Sequence, residues 1–264
     1  MNERKVKPTL EIMGLEICAN SYSSAIAAQN GGAIRVELCE NMADGGTTPS
    51  YAQIKRAVEN LKIEVWPIIR PRGGDFLYNN DEFEIMKEDI KICKILKCGG
   101  IVFGILTSDG EIDKERCAEL IELAKPMPVA FHRAFDMSND LPKALETLIE
   151  LGFVRVLSSG GAENAHKGIK VLNRLVNQAD GRIQIMPGAG INPQNILEIA
   201  TKTGAFVFHS SARVKVLSKM KFKNSTTKMA TSNNEIENAN DEYQYEQTSE
   251  DLVKKMAQQI SLKN

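Results

Sequence analysis

Two cysteines carry the sharpest chemical signal in this 264-residue chain. Cys18 ends the apolar run Met13–Cys18, and Cys39 ends the next such run, Ile34–Cys39. If the two runs are neighbouring strands, both thiols sit at strand ends and share the inward parity of nearby glutamates. A pair of thiolates is a soft site that selects Cu(I), whereas carboxylate and imidazole suit harder ions. Free cysteine is also a common core residue. Spacing alone therefore leaves metal binding and plain packing both open.

Charged and polar residues collect at the ends of the later runs as well. Glu16 shares a face with Cys18, and Arg35 and Glu37 share one with Cys39. Ionised groups pointing inward must be paired or reach water, so they are expected near an open end, as a charged cup. Arg70 and Arg72 follow the third run, while His132, Arg133 and Asp136 follow the fifth. Gly188 and Gly190 form a tight turn after the seventh, and His209, Ser210, Ser211 and Arg213 close the eighth. A glycine turn beside serines and strand-end arginines is a candidate anion site, built from backbone N–H groups and guanidinium forks. Glu37, His132 and Arg133 are the candidate catalytic groups, with a carboxylate or His132 as base and the arginines holding the anion. His166 lies in a polar stretch and reads as a surface residue. Cys93 and Cys117 fall on apolar helix faces, and Cys98 has no obvious partner.

What positions these residues is a regular alternation. Eight short apolar runs are legible: Met13–Cys18, Ile34–Cys39, Glu64–Arg70, Gly100–Leu106, Pro128–Arg133, Phe153–Ser158, Ile183–Pro187 and Ala205–Ser210. Helical patterns separate them. Thr48-Pro49 reads as one helix start, Asn80 as the next, Asp113 and Asp140 as N-caps, and Asn192-Pro193 as a start for a helix stopping at Gly204. Such alternation implies parallel strands with crossover helices. Eight units favour an α/β fold of the (β/α)₈ TIM-like barrel type, whose chemistry sits at the C-terminal strand ends. No Gly-x-Gly-x-x-Gly turn follows the first run, so no nucleotide cofactor is indicated. A single domain over residues 10–264 is expected, behind a polar tail at 1–9. A polar stretch at about 215–249 breaks the rhythm before a last helix using Leu252, Val253, Met256 and Ile260. Ser232–Asp241 reads as a mobile loop.

Composition narrows the setting. The net charge is −1 and charged residues make up 25%, so no global field attracts nucleic acid or an anionic membrane. Met1–Leu10 lacks an apolar secretory core. Five cysteines outside any disulfide framework suit reduced thiols in the cytoplasm, with nuclear presence left open.

Several strings then point the same way. Leu15-Glu16-Ile17-Cys18, Arg35-Val36-Glu37-Leu38-Cys39, Gly45-Gly46-Thr47-Thr48-Pro49-Ser50, Ile68-Ile69-Arg70-Pro71-Arg72-Gly73-Gly74-Asp75-Phe76 and Phe131-His132-Arg133-Ala134-Phe135-Asp136 resemble the CutC family. So do Met186-Pro187-Gly188-Ala189-Gly190-Ile191, His209-Ser210-Ser211-Ala212-Arg213 and Met220-Lys221-Phe222, and Gly74-Asp75-Phe76-Leu77-Tyr78 looks like the eukaryotic branch. The resemblance implies a TIM-like barrel, cytosolic and homo-oligomeric, named for copper homeostasis and binding Cu(I), with Cys18 and Cys39 at the positions proposed as ligands. The strand-end arginines and glycine turn keep a second reading open. It is a lyase- or isomerase-like barrel enzyme acting on a phosphorylated or carboxylated small molecule. Either partner is a small ion or molecule: copper, or an anionic metabolite.

Overall fold

The computed structural model describes residues 13–224, 226 and 242–261. The expected tail at 1–9 and the stretch Ser232–Asp241 lie outside them. Each of the eight expected runs yields a strand, the first extending one residue beyond its run: β1 (Gly14–Ala19), β2 (Arg35–Leu38), β3 (Glu64–Pro67), β4 (Ile101–Phe103), β5 (Val129–Phe131), β6 (Arg155–Ser158), β7 (Gln184–Pro187) and β8 (Val207–Ser210). Between them run α1 (Tyr22–Asn30), α2 (Tyr51–Asn60), α3 (Asn80–Ile95), α4 (Lys114–Ala124), α5 (Leu141–Leu151), α6 (Ile169–Ala179) and α7 (Ile196–Thr203). The strands form two parallel ladders, β3-β2-β1-β8 and β4-β5-β6-β7. One seam between the ladders is closed by a bridge from Ile68 to Val102, with the Ile69 amide donating to the Val102 carbonyl at 2.7 Å. At the other, β7 and β8 pack side by side. This is a (β/α)₈ barrel.

Strand alternation sorts the side chains as the pattern requires. Leu15, Ile17, Val36 and Leu38 are buried in the main core between sheet and helices. Their neighbours Glu16, Arg35 and Glu37 are buried too, on the inner side of the barrel. Parallel register sets Glu16 beside Arg35 and His209, and Cys18 beside Glu37.

Local chemistry explains the helix starts, with small shifts from expectation. The Asp113 and Asp140 carboxylates accept from Arg116 and Lys143 amides, as N-caps do. Asn79, not Asn80, caps α3, in a capping box with Glu82. α2 is capped by Ser50 rather than opened by Thr48-Pro49, because the Ser50 hydroxyl reaches the Gln53 amide. α7 begins at Ile196, after the Asn192-Pro193 turn is spent on a bend that Asn195 ties to the Gly190 carbonyl.

The polar stretch is not simply a loop. Its two ends pair as an antiparallel ribbon, β9 (Arg213–Leu217) with β10 (Gln244–Thr248). The ribbon is sewn to the first βα unit: the Asn20 amide donates to the Glu246 carbonyl, and the Thr248 amide donates to the Ser24 hydroxyl. Polar alternation hid it, since neither strand has a buried face. The final helix α8 (Glu250–Ser261) buries Val253, Met256 and Ile260, while Leu252 is partly buried against the core. Among the described residues no helix is long and apolar enough to cross a membrane.

Candidate functional site

A cavity of about 470 Å³ opens at the C-terminal strand ends, where this fold places chemistry. Its wall takes Cys18 from β1, Glu37 from β2, Arg70 after β3, and His132, Arg133 and Asp136 after β5. Gly190 after β7 and His209, Ser210, Ser211 and Arg213 from β8 onward complete the polar part. Ile68, Phe76, Leu157 and Ile191 supply apolar wall.

The sulfur corner is compact. Cys18 Sγ and Cys39 Sγ are 3.0 Å apart, and Met42 Sδ lies 3.3 Å from Cys39 and 3.8 Å from Cys18. Cys39 itself is sealed behind the other two sulfurs, whereas Cys18 and Met42 reach the cavity. The hydrogen bond with Cys18, then burial, pushes the Cys39 thiol well up. Ligand atoms of Cys18, Cys39 and Glu37 lie within 4.8 Å of one another. Met42 sits on a 3₁₀ turn (Met42–Asp44) between left-handed Asn41 and Gly45. Sequence reasoning missed it, although Cys39-Glu40-Asn41-Met42 is a three-residue spacing that returns a second sulfur to the strand end.

Two histidines face the cavity in opposite states. His209 Nε2 donates to Glu37 Oε2 at 2.9 Å, with Glu16 3.8 Å away. Burial pulls its pKa down, but the Glu37 hydrogen bond and charge outweigh that and hold it up at about 9. His132 Nδ1 accepts the Ala134 amide at 3.2 Å, so the ring proton belongs on Nε2. Burial, then the Arg70 charge, pushes its pKa down to about 3. His132 is thus a neutral donor whose Nε2 has no partner among the described residues. Its acceptor nitrogen Nδ1 is already committed to the Ala134 amide, which leaves the donor position free.

Other expected members divide between the cavity and the scaffold. Glu16 is not in the open cup. It lies sealed in the barrel interior with Arg35 and Arg155 both bonded to its Oε2, and these two guanidiniums lie 5.1 and 4.6 Å from the centre of the Trp66 ring. Pairing inside the barrel replaces water as the compensation for those charges. Arg72 also lies off the cavity, clasping Glu82, Asp75 and the Leu77 carbonyl. Gly188 is no anion cradle: a Cβ there would stand 2.4 Å from the Leu157 side chain, so its smallness serves packing. Gly190 does line the cavity, at φ +75, which favours glycine. The Ser210 hydroxyl is spent on the Ile191 carbonyl and the Ala212 amide. Asp136 is likewise engaged, accepting from the Ser158 hydroxyl, the Ser159 and Gly161 amides, and Arg133. Cys98 does have a partner, the thiol of Cys93, and His166 is exposed beside Glu198.

A family model described as the CutC family matches residues 13–214. The human protein named copper homeostasis protein cutC homolog is 49% identical over 218 residues, covering 83% of this chain and 80% of the relative. A CutC family protein of Parabacteroides distasonis is 53% identical over 219 residues, covering 83% of this chain and 90% of its own length. Among solved structures, the putative copper homeostasis protein CutC of Streptococcus agalactiae superposes with a TM-score of 0.73 at 39% identity, over 76% of this chain and 99% of that one. Phosphoribosylanthranilate isomerase of Thermotoga maritima, at TM-score 0.55 and 12% identity over 96% of this chain and 100% of that one, shares the barrel alone. With its strand-end strings, its barrel and its sulfur corner in one frame, this chain belongs to the CutC family.

Proposed function

We propose that the chain binds one Cu(I) ion as cargo, in copper handling, through Cys18, Cys39 and Met42. The observation that carries this is the sulfur triangle with sides of 3.0, 3.3 and 3.8 Å. Two thiolates and a thioether are the donors a soft monovalent ion selects. Geometry favours three ligands over two. With metal–sulfur bonds of about 2.3 Å, a linear pair must stand about 4.6 Å apart, and a trigonal set about 4 Å. The Cys18–Cys39 side must open by about 1 Å to reach the second arrangement and by about 1.6 Å to reach the first. Glu37 is a poorer ligand, being a hard oxygen already holding His209.

Loading such a site releases the thiol protons and leaves a dithiolate complex with net negative charge. His209, held cationic beside Glu37, and Arg213, whose charge reaches Cys39, offset it. All five cysteines are free and buried, as suits a reducing cytosol. The names of the relatives, which refer to copper homeostasis, support the reading.

The test is a Cu(I) titration of the reduced protein against a competing chelator. Wild type is expected to bind one equivalent tightly, the Cys18→Ser/Cys39→Ser variant none, and Met42→Leu more weakly. Affinity indifferent to both cysteines would overturn the proposal. Affinity indifferent to Met42 alone would reduce the site to a thiolate pair.

A further inference from the structure

We infer that the cavity beside the sulfur corner binds a small organic anion, a carboxylate or phosphate carried on an apolar body. This goes beyond the copper reading and stands without it. A single ion held by three sulfurs leaves most of a cavity of about 470 Å³ without a purpose. That volume lies in the range of small-molecule sites.

Charge is the first argument. Arg70, Arg133, Arg213 and His209 face the cavity against only Glu37 and Asp136. Glu37 is taken by His209, Asp136 by Arg133 and the β6 loop, and Arg213 pairs outside the cavity wall with Glu246 at 2.6 Å, which leaves Arg70 as the cation without a counter-charge. Arg70 is 4% exposed and has no carboxylate partner among the described residues. Its terminal nitrogens donate to the carbonyls of Asp44, Gly46 and Gly74, which fixes the side chain without neutralising it. A buried cation left without a counter-charge is costly, so an anionic occupant would compensate it.

Unsatisfied donors are the second. Among the described residues His132 Nε2 and Arg213 Nε are buried and without acceptors, and both residues line the cavity. Native structures leave few such groups, and each calls for a cause. A carboxylate or phosphate supplies several acceptors at once. His132 also reads as built for this purpose: its ring lies 4.9 Å from that of Phe76, and Arg70 lies 5.0 Å from the centre of the same Phe76 ring, so it offers a neutral N–H rather than a further cation.

Two of the five left-handed non-glycine residues among those described sit at the same place. Ala189 and Ala212 adopt left-handed conformations, at φ +70 and +46, on the two turns that follow β7 and β8. Non-glycine residues rarely do so without functional cause. The apolar wall of Ile68, Phe76, Leu157 and Ile191 then argues for an organic body behind the anionic head, not a bare inorganic ion.

The experiment uses copper-free, chelator-treated full-length chain, so that its outcome is independent of the metal site. Phenyl phosphate and phenylacetate are the anionic probes, with 2-phenylethanol as a neutral control of similar shape. Calorimetry should give saturable one-to-one binding of at least one anion, with a matching rise in melting temperature by mass action, and none for the alcohol. Phosphate-only or carboxylate-only binding identifies the head group. Arg133→Gln and Arg213→Gln should each weaken the bound anion by about tenfold. Lys170→Gln, on the exposed side of α6, should leave it unchanged. Circular dichroism and urea midpoints check that the arginine variants fold. The proposal is overturned by no saturable binding of either anion, by equal binding of the alcohol, or by affinity untouched in both folded arginine variants.

Discussion

Cys93 and Cys98 form a second pair of buried thiols, and their setting differs from that of Cys18 and Cys39 in every respect that matters to chemistry. Cys93 is on the inner face of α3 and Cys98 just beyond its end, both inside the main apolar core. The hydrogen bond to Cys98, together with burial, pushes the Cys93 thiol far above its usual range. The first pair belongs to a small separate cluster with Ile68 and Met42. It opens on the cavity through Cys18 and has Glu37, His209 and Arg213 close by. Proximity of two sulfurs is therefore not a site in itself. What separates the pairs is a route to solvent, a third soft donor, and nearby charge that can absorb the change when protons leave.

The comparison can be broken outright by exchanging which pair is removed. Cys18→Ser/Cys39→Ser should lower Cu(I) affinity by at least about a thousandfold, the largest effect expected, on the scale of 1.4 kcal/mol per tenfold. Cys93→Ser/Cys98→Ser should leave that affinity alone and instead cost about 1–3 kcal/mol in urea denaturation, since it places hydroxyls in an apolar core. If the second variant lost copper, the distinction would be gone.

Met42→Leu keeps the volume and removes the sulfur, so it isolates the third donor. We expect about a tenfold loss of affinity, about 1.4 kcal/mol, and an X-ray absorption spectrum of the copper-loaded wild type with three sulfur scatterers falling to two in the variant. A wild-type spectrum with two would restrict the site to the thiols.

The effects on stability alone concern pH, and the two cavity histidines give them opposite signs. His132 titrates at about 3 when folded, against 6.5 in a free chain, so the unfolded state binds the extra proton and stability falls as pH drops from about 6.5 towards 3. His209 titrates at about 9, so its contribution is complete below about 6.5 and is lost as pH rises through 9. Each limb is limited to about 1.4 kcal/mol per pH unit, with the maximum between them. His132→Asn should flatten the acid limb and His209→Gln the alkaline one, both read from urea midpoints across pH. Limbs that survive both substitutions would assign the profile to other groups.

Much of this arrangement was legible before any coordinates. Strand number, order and inward parity followed from alternation, because each β-branched or apolar run is short and bounded by turn residues. Cys18 and Cys39 could be placed at neighbouring strand ends for the same reason. What periodicity could not give is depth. Glu16 and Glu37 share a parity, yet one is sealed under Arg35 and Arg155 while the other faces the cavity. Nor could it give the hydrogen-bond commitments that take Arg72 and the Ser210 hydroxyl out of the reckoning. Met42 escaped notice because a methionine in a turn is ordinarily filler, and only the fold brings its sulfur back over Cys39.

The two ladders of the barrel have a mechanical meaning for these neighbouring sites. Cys18, Cys39 and Met42, with Glu37, His209 and Arg213, all hang from the half that runs β3-β2-β1-β8, whereas His132, Arg133 and Gly190 hang from the half that runs β4-β5-β6-β7. A hinge at the seam where β7 meets β8 would carry Arg133 away from Arg213 and change the width of the cavity. The same motion would move the corners of the sulfur triangle together, because all three belong to the first two strands and the turn that follows them. The sulfur corner thus hangs from one ladder, while the wall of the cavity is divided between both.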